Sequence, residues 1–203
     1  MTGASPIFLS ASVPLPTRHE VYFRTADVIA IRDAIRALVI VIAQEQRELV
    51  FGGHPAILPM IRLQLVQLGL PVGKFVTVFV SSFFKSDFPE DLSAFEKTIV
   101  VDAVADDREK SLAAMRERMM EGPFRCGLFI GGMEGVEQEF EMFRIRHPSA
   151  PAYPLASTGA AAALVYERNN ALFQRSPELR DEVSYLGLMR RLVGKASPLE
   201  ESR

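Results

Sequence analysis

The chain has 203 residues, of which 48% are apolar and 24% are charged. This length and this balance predict a single globular domain, and they exclude a disordered segment or a coiled coil. The formal net charge is -2 and both signs are mixed along the chain, which excludes the broad basic surface that a nucleic-acid partner requires.

Six short apolar runs, each bounded by glycine, proline or small polar residues, predict β-strands. In chain order they are residues 7–9, 49–51, 75–80, 98–102, 126–130 and 153–155. Segments with helical periodicity lie between most of them and after the last. These segments are residues 28–46, 58–68, 106–119, 136–147, 160–172 and a last helix after Pro177. Residues 81–88 are predicted to form a loop, and residues 90–95 a short acidic turn or helix.

Alternating strands and helices, with strands that are continuous apolar runs, are typical of a parallel sheet covered on both faces. The sequence therefore predicts an α/β protein with a Rossmann-like, mainly parallel sheet. We expect one domain over residues 1–194 and a loose tail over residues 195–203.

Four turns that are rich in small residues follow predicted strands. Ligands of open parallel sheets bind at the carboxyl ends of the strands, where strand order reverses. Backbone N–H groups of such turns can approach an anion, and a following helix dipole favours negative charge. We therefore predict a phosphate-binding site, the alternative being that the glycines only turn each strand into a helix. The candidate residues are Ser10, Ala11, Ser12, Gly52, Gly53, His54, Gly131, Gly132, Met133, Glu134, Gly135, Ser157, Thr158 and Gly159.

Several other kinds of site are excluded by their missing motifs. No Gly-Lys-Ser/Thr follows the glycines, and no stretch has the glycine spacing of the dinucleotide fingerprint. His19, His54 and His147 are scattered and Cys126 is the only cysteine, so we predict no metal site. A single cysteine also precludes an internal disulfide, which is typical of a reducing cytoplasm.

No membrane contact is expected. The longest apolar run, residues 28–43, is interrupted by Arg32, Asp33 and Arg36, well short of a membrane-spanning length. The first residues do not form a secretory signal. We expect a cytoplasmic protein.

The apolar helices predicted at residues 28–46 and 160–172 favour a homo-oligomer, with ordinary core packing as the alternative.

The glycine turns belong to longer motifs that carry a resemblance. These are IFLSAS (residues 7–12), VFGGHP (50–55), FIGGMEGVEQE (129–139) and PLASTG (154–159). Together they resemble the SLOG superfamily, a Rossmann-like group that contains the Smf/DprA and Lonely Guy proteins, and within it a bacterial branch. The resemblance implies binding or sensing of a nucleotide-derived signal, such as an ADP-ribose derivative, NAD or AMP, in bacterial anti-phage defence.

The same resemblance implies an enzymatic alternative. In Lonely Guy-like phosphoribohydrolases the motif Pro-Gly-Gly-x-Gly-Thr precedes a catalytic glutamate, and Glu139 falls at the corresponding place. Ile130 replaces the proline, Val136 replaces the threonine, and one extra residue lies between Gly132 and Gly135. These departures weigh against the same loop shape and therefore against N-glycosidase activity.

The sequence leaves two points about charged residues open. The arginine that pairs with the catalytic glutamate in those enzymes has no clear match, and Arg125, Arg144 and Arg146 are the candidates. Glu134, Glu137 and Glu139 could provide a ligand group or a general acid or base, or they could only complement the helix dipole. The competing functions are a nucleotide-ligand sensor, an N-glycosidase acting on a nucleotide or NAD, and a structural interaction protein.

Overall fold

A computed structural model of the protein describes residues 5–16, 20–88 and 90–194. The strands are β1 (Ile7–Ser12), β2 (Leu49–Phe51), β3 (Val76–Ser81), β4 (Lys97–Val101), β5 (Cys126–Gly131) and β6 (Ala152–Leu155). The helices are α1 (Glu20–Thr25), α2 (Val28–Gln44), α3 (Leu58–Gln67), α4 (Val72–Phe75), α5 (Arg108–Met119), α6 (Glu134–Arg146), α7 (Ala160–Arg168), α8 (Asn170–Phe173), α9 (Glu178–Asp181) and α10 (Tyr185–Val193). Short 3₁₀ turns cover Ser82–Asp87, Glu90–Ala94 and Ala156–Thr158.

Two features named in the sequence analysis lie outside the described residues. The loose tail predicted at residues 195–203 lies outside the described residues, and so does His19. Among the described residues, no helix is both long enough and apolar enough to cross a membrane.

The six strands form one sheet in the order β4-β3-β2-β1-β5-β6. Every neighbouring pair is parallel, which confirms the predicted Rossmann-like α/β architecture. From β1 the chain moves outward through β2 and β3 to β4, and then returns to the other side of β1 as β5 and β6. Strand order therefore reverses between β1 and β5, where a crevice opens at the carboxyl ends of the strands.

Helices cover both faces of the sheet, and β1 shows how the two layers arise. All of its residues are buried, and side chains alternate between faces along a strand. Ile7, Leu9 and Ala11 join an apolar cluster that includes the buried side of α2. Phe8 points the other way, into a cluster formed with α5, α6 and α7. The central strand is therefore apolar on both faces, as parallel strands are when helices pack on each side.

Aromatic packing fixes α6 above β1 and β5. The ring centroids of Phe8 and Phe143 are 5.2 Å apart, and those of Phe129 and Phe140 are 5.1 Å apart. Gly127 leaves room for this contact, because a Cβ there would lie 3.0 Å from the Phe143 ring. Such buried rings provide much of the packing energy of a helix. As a result the first turn of α6 lies beside the crevice.

The structure corrects three local predictions. Ser10, Ala11 and Ser12 are the last residues of β1 rather than a loop, because the longer β5 continues to pair with them as far as Gly131. The alanine-rich helix ends at Asn169, whose backbone N–H and side-chain amide both donate to the Val165 carbonyl. The last predicted helix is split into α9 and α10.

Gly159, the residue before α7, lies in close contact with the end of α1. Its φ of +71° and ψ of -158° lie in a region that is nearly exclusive to glycine, and a Cβ there would be 1.8 Å from the Thr25 carbonyl oxygen. We expect Gly159→Ala to lower the free energy of unfolding by about 3 kcal/mol or more, measured by urea denaturation.

Gly69→Ala is the matched control for this experiment. Gly69 also has a positive φ, of +67°, but a Cβ added there would have no atom of the described residues within 4 Å. Its substitution should cost only the backbone strain, about 1 kcal/mol. Equal losses at the two glycines would contradict the close contact between Gly159 and α1.

Candidate functional site

A cavity of about 470 Å³ opens at the carboxyl edge of the sheet, above β1 and beside β5. We call it the switch-point cavity. Its walls come from the ends of β1 and β2, one face of α5 and the first turns of α6. The lining residues are Leu9, Ser10, Ala11, Ser12, Phe51, Gly52, His54, Arg108, Glu109, Leu112, Met115, Arg116, Met133, Glu134, Gly135, Val136, Gln138 and Glu139.

The structure brings many of the candidate residues together in this cavity. Those that line it are Ser10, Ala11, Ser12, Gly52, His54, Met133, Glu134, Gly135 and Glu139. The remaining candidates lie outside its lining, and they are Gly53, Gly131, Gly132, Ser157, Thr158 and Gly159. Residues from three of the predicted turns thus share one cavity, and the turn after β6 does not reach it.

The turn after β5 is held by hydrogen bonds next to the cavity. The Gly131 N–H donates to the Thr158 hydroxyl over 2.8 Å, and the Gly132 N–H donates to the Ser12 carbonyl over 2.9 Å. Both amides are therefore engaged within the protein. A Cβ at Gly132 would lie 2.2 Å from the Val136 side chain, so the turn has no room for a larger residue.

The turn after β6 helps to hold the turn after β5 in place. Thr158 is fully buried, and its hydroxyl donates to the Leu155 carbonyl over 2.5 Å while it accepts from Gly131. The Tyr185 hydroxyl donates to Ser157 over 3.1 Å. These contacts tie β6 and α10 to the end of β5, and they explain why small polar residues occur at this turn.

His54 lines the cavity in a defined orientation. Its Nδ1 accepts the Ala56 N–H over 3.2 Å, so a neutral ring carries its proton on Nε2. Gly53, just before it, turns sharply with a φ of +53° against Val80. This turn brings the His54 ring to the cavity wall.

Helix α5 forms the opposite wall. Asp107 caps its first turn by accepting the N–H groups of Glu109 and Lys110, and these hydrogen bonds help to hold the Asp107 pKa below its usual value. Leu112 and Met115 give this wall an apolar surface. Met115 and Met119 of this helix pack over Gly52 at the end of β2, where a Cβ would make an ordinary van der Waals contact of 3.5 Å with the Met119 sulfur.

An ion pair at the cavity wall joins α5 to α6. Arg116 Nε donates to Glu139 Oε1 over 3.1 Å, and the two side chains are only 11% and 13% exposed. Arg116 Nη1 also donates to Gln138 Oε1 over 2.7 Å. The guanidinium and the carboxylate are thus held in place at the cavity wall.

Arg116 is a functional candidate that sequence reasoning missed. The three candidate partners of Glu139 are wrong, because Arg125 donates to the Gly194 carbonyl, Arg144 contacts Asn169 and Glu141, and Arg146 contacts Glu117. One sequence signal does exist. Arg116 follows Leu112 by four residues, which places a charge on the face of α5 that looks toward the sheet.

The glutamates of α6 have different surroundings. Glu134 and Glu139 line the cavity. Glu137 faces away from it, where it accepts the Tyr22 hydroxyl over 2.9 Å and pairs with Arg168 over 2.5 Å. Burial and this hydrogen bond raise the pKa of Tyr22 to about 12. Glu137 therefore joins α1 to α6 and α7.

A buried hydroxyl points to a ligand in this cavity. Ser10 is 2% exposed, and its Oγ has no hydrogen-bond partner among the residues that the structure describes. Buried polar groups are nearly always hydrogen-bonded, and leaving one unpaired costs about 1–3 kcal/mol. Since Ser10 lines the cavity, a bound molecule could provide the missing partner.

The cavity also offers binding groups of both charges. Met133, the N-cap residue of α6, makes no side-chain capping hydrogen bond with the described residues, and a helix N-terminus of this kind favours an anion. Arg108 and Arg116 add positive charge, and Glu109, Glu134 and Glu139 add carboxylates. Within the described ranges, no three His, Cys, Asp or Glu side chains are grouped to hold a metal ion.

A parallel sheet of this order, with a polar cavity where strand order reverses, defines a Rossmann-like α/β protein. The sequence model of the SLOG cluster3 family matches residues 21–193. The chain belongs to that family, which confirms the resemblance to the SLOG superfamily. No curated protein and no solved structure matches the chain.

The ion pair between Arg116 and Glu139 can be measured directly. Because both side chains are mostly buried, we expect Arg116→Ala and Glu139→Ala to be coupled by about 1–3 kcal/mol in a double-mutant cycle of urea unfolding. The exposed pair of Glu20 and Arg24, with 69% and 74% exposed side chains, is the control. Its coupling should be about 0.5 kcal/mol or less. Equal coupling in both pairs would contradict a preorganised wall.

Proposed function

We propose that this protein binds a nucleotide-derived ligand in the switch-point cavity and serves as a sensing domain for it. The observation that carries this proposal is the unpartnered, buried Ser10 hydroxyl at the cavity wall, within the part of the chain that the structure describes. Membership of the SLOG family supports a nucleotide-related role. The cavity volume of about 470 Å³ lies within the range of small-molecule sites.

The wall chemistry suits the parts of such a ligand. The first turn of α6 and the Arg116 guanidinium would bind phosphate oxygens, since both favour anions. The carboxylates of Glu134 and Glu139 would accept hydrogen bonds from ribose hydroxyls. Leu112 and Met115 provide an apolar surface for a base. An ADP-ribose derivative, NAD or AMP has each of these parts.

Calorimetry against ADP-ribose, its cyclic isomers, NAD and AMP tests this proposal. We expect heat of binding with at least one of them. Arg116→Gln should weaken that binding about 10- to 100-fold, because a charge-assisted hydrogen bond contributes roughly 1.5–3 kcal/mol. Ser10→Ala should weaken it less, without loss of stability in the free protein.

The matched control for this titration is Arg118→Gln. Arg118 lies on the same helix, but its side chain is 58% exposed and pairs with Glu121. Its substitution should leave the affinity unchanged. The absence of a heat of binding with all four ligand types would contradict the sensing proposal and favour a structural interaction protein.

The pair of Arg116 and Glu139 favours a second candidate function, hydrolysis of an N-glycosidic bond. In such a reaction water adds to C1′ of the ribose and the bond from C1′ to the base nitrogen breaks. The proton lost by water passes to a leaving adenine, or to solvent when the nicotinamide of NAD leaves as a neutral base. Glu139 would act as the general base, and Arg116 would hold the carboxylate in place. This carboxylate lies at the cavity wall, as the resemblance to phosphoribohydrolases implies.

Chromatography of each nucleotide after incubation would detect the released base. If the protein is a glycosidase, Glu139→Gln should reduce the rate by at least about 100-fold, the usual contribution of a general acid or base. Glu141→Gln is the control, because Glu141 lies on the same helix with a 58% exposed side chain and should not affect the rate. Release that is unchanged in Glu139→Gln would remove this residue from the mechanism.

A homo-oligomer is also part of the proposal, but most of the expected surface is not available for it. Ten residues of α2 and five of α7 are buried within the chain itself, so most of their apolar surface is core. The exposed apolar side chains near α1 and the start of α2 are Val21, Phe23, Val28 and Ile29. We propose these residues as the subunit contact.

A further inference from the structure

Two arginines converge at the amino edge of the sheet, opposite the switch-point cavity. Arg47 precedes β2 and Arg125 precedes β5, and β1 lies between these two strands. Arg47 Nη1 donates to the Ser5 carbonyl over 3.4 Å, and the Arg125 backbone N–H donates to the Pro6 carbonyl over 2.9 Å. Both residues thus contact the segment that leads into β1.

Neither guanidinium forms an ion pair with another of the described residues. Arg47 is 7% exposed, and the side-chain bonds of the two residues go to the neutral carbonyls of Ser5 and Gly194. Within residues 5–16, 20–88 and 90–194, no carboxylate oxygen lies within ion-pair distance of either arginine. The Nε of each is buried and has no hydrogen-bond partner in the same ranges.

This arrangement is costly unless an anion joins it. An arginine keeps its proton in a protein, and buried charges are almost always paired. Burial lowers the pKa of Arg47, and the positive charge of Arg125 lowers it further, against a smaller opposite effect of Glu45. The two cations therefore repel each other in a poorly solvated position.

The neighbouring cysteine does not neutralise them. Cys126 is buried beside both arginines, and their charges favour its thiolate. Burial has the larger effect and raises the pKa of the thiol to about 12. Cys126 is therefore neutral at physiological pH, and Glu45 offsets only part of the positive charge at Arg47.

We propose that Arg47 and Arg125 form a second binding site, for a small oxyanion such as phosphate, at the amino edge of the sheet. Guanidinium groups bind oxyanions through paired, charge-assisted hydrogen bonds. The buried Nε donors of the two arginines and their shared excess of positive charge fit such a guest. Arg125 is only partly buried, which leaves it accessible from solvent. The site is separate from the switch-point cavity and does not depend on the sensing function.

Thermal unfolding of the full chain in sodium phosphate, against sodium chloride at equal ionic strength, tests this site. Phosphate should raise the Tm of the wild-type protein in a saturable way, and chloride should not. Arg47→Met and Arg125→Gln should each weaken the apparent phosphate affinity about ten-fold or more, because each removes charge-assisted hydrogen bonds. Without phosphate, Arg47→Met should unfold at or above the wild-type temperature, because one of two repelling buried charges is gone.

Arg116→Met separates this site from the switch-point cavity. It should keep the phosphate response if the anion binds at Arg47 and Arg125. A response that is lost in Arg116→Met but retained in both Arg47→Met and Arg125→Gln would place phosphate in the cavity and overturn the second site. An equal response to chloride, or no phosphate response in the wild type, would overturn it as well. If Arg47→Met does not fold, the more exposed Arg125→Gln decides the question.

Discussion

The sharp turn between β5 and α6 is the constraint on which the rest of the site depends. Gly131 and Gly132 both have positive φ, and a Cβ at either would meet the side chain of Ile31 or Val136 at less than 2.5 Å. Their amides are bound by Thr158 and Ser12. Because this turn is so tight, α6 begins directly beside the end of β1, and its first turn lies at the crevice where strand order reverses.

The glutamates of α6 point in different directions, so that one short segment both lines the cavity and contacts neighbouring helices. Glu134 and Glu139 line the cavity, whereas Glu137 bonds Tyr22 and Arg168 on another side of the helix. Successive side chains on a helix are about 100° apart, so residues two apart face different neighbours. Glu137 thus stabilises the packing of α1 and α7, and Glu139 remains at the wall of the switch-point cavity.

The two edges of the sheet differ in how they accommodate buried charge. At the carboxyl edge, Arg116 is paired with Glu139 and borders an open cavity. At the amino edge, Arg47 and Arg125 bury their Nε atoms without an ion pair among the described residues. Unpaired buried charge is rare because desolvation is expensive. The unpaired charge thus lies at the amino edge, which is why we place the proposed anion there.

The sequence by itself determined the secondary-structure class, the parallel sheet and half of the residues that line the cavity. Apolar runs and helical periodicity are local patterns, and residues such as His54 and Gly135 follow strands whose carboxyl ends must share one edge. Only the tertiary structure decided that the turn containing Thr158 lies outside the cavity, and that Arg116 is the arginine that pairs with Glu139. Arg116 is 23 residues from Glu139 in the chain, and the packing of α5 beside α6 brings them together. The approach of Arg47 to Arg125 likewise depends on strand order, because β1 lies between β2 and β5 in the sheet although it precedes both in the sequence.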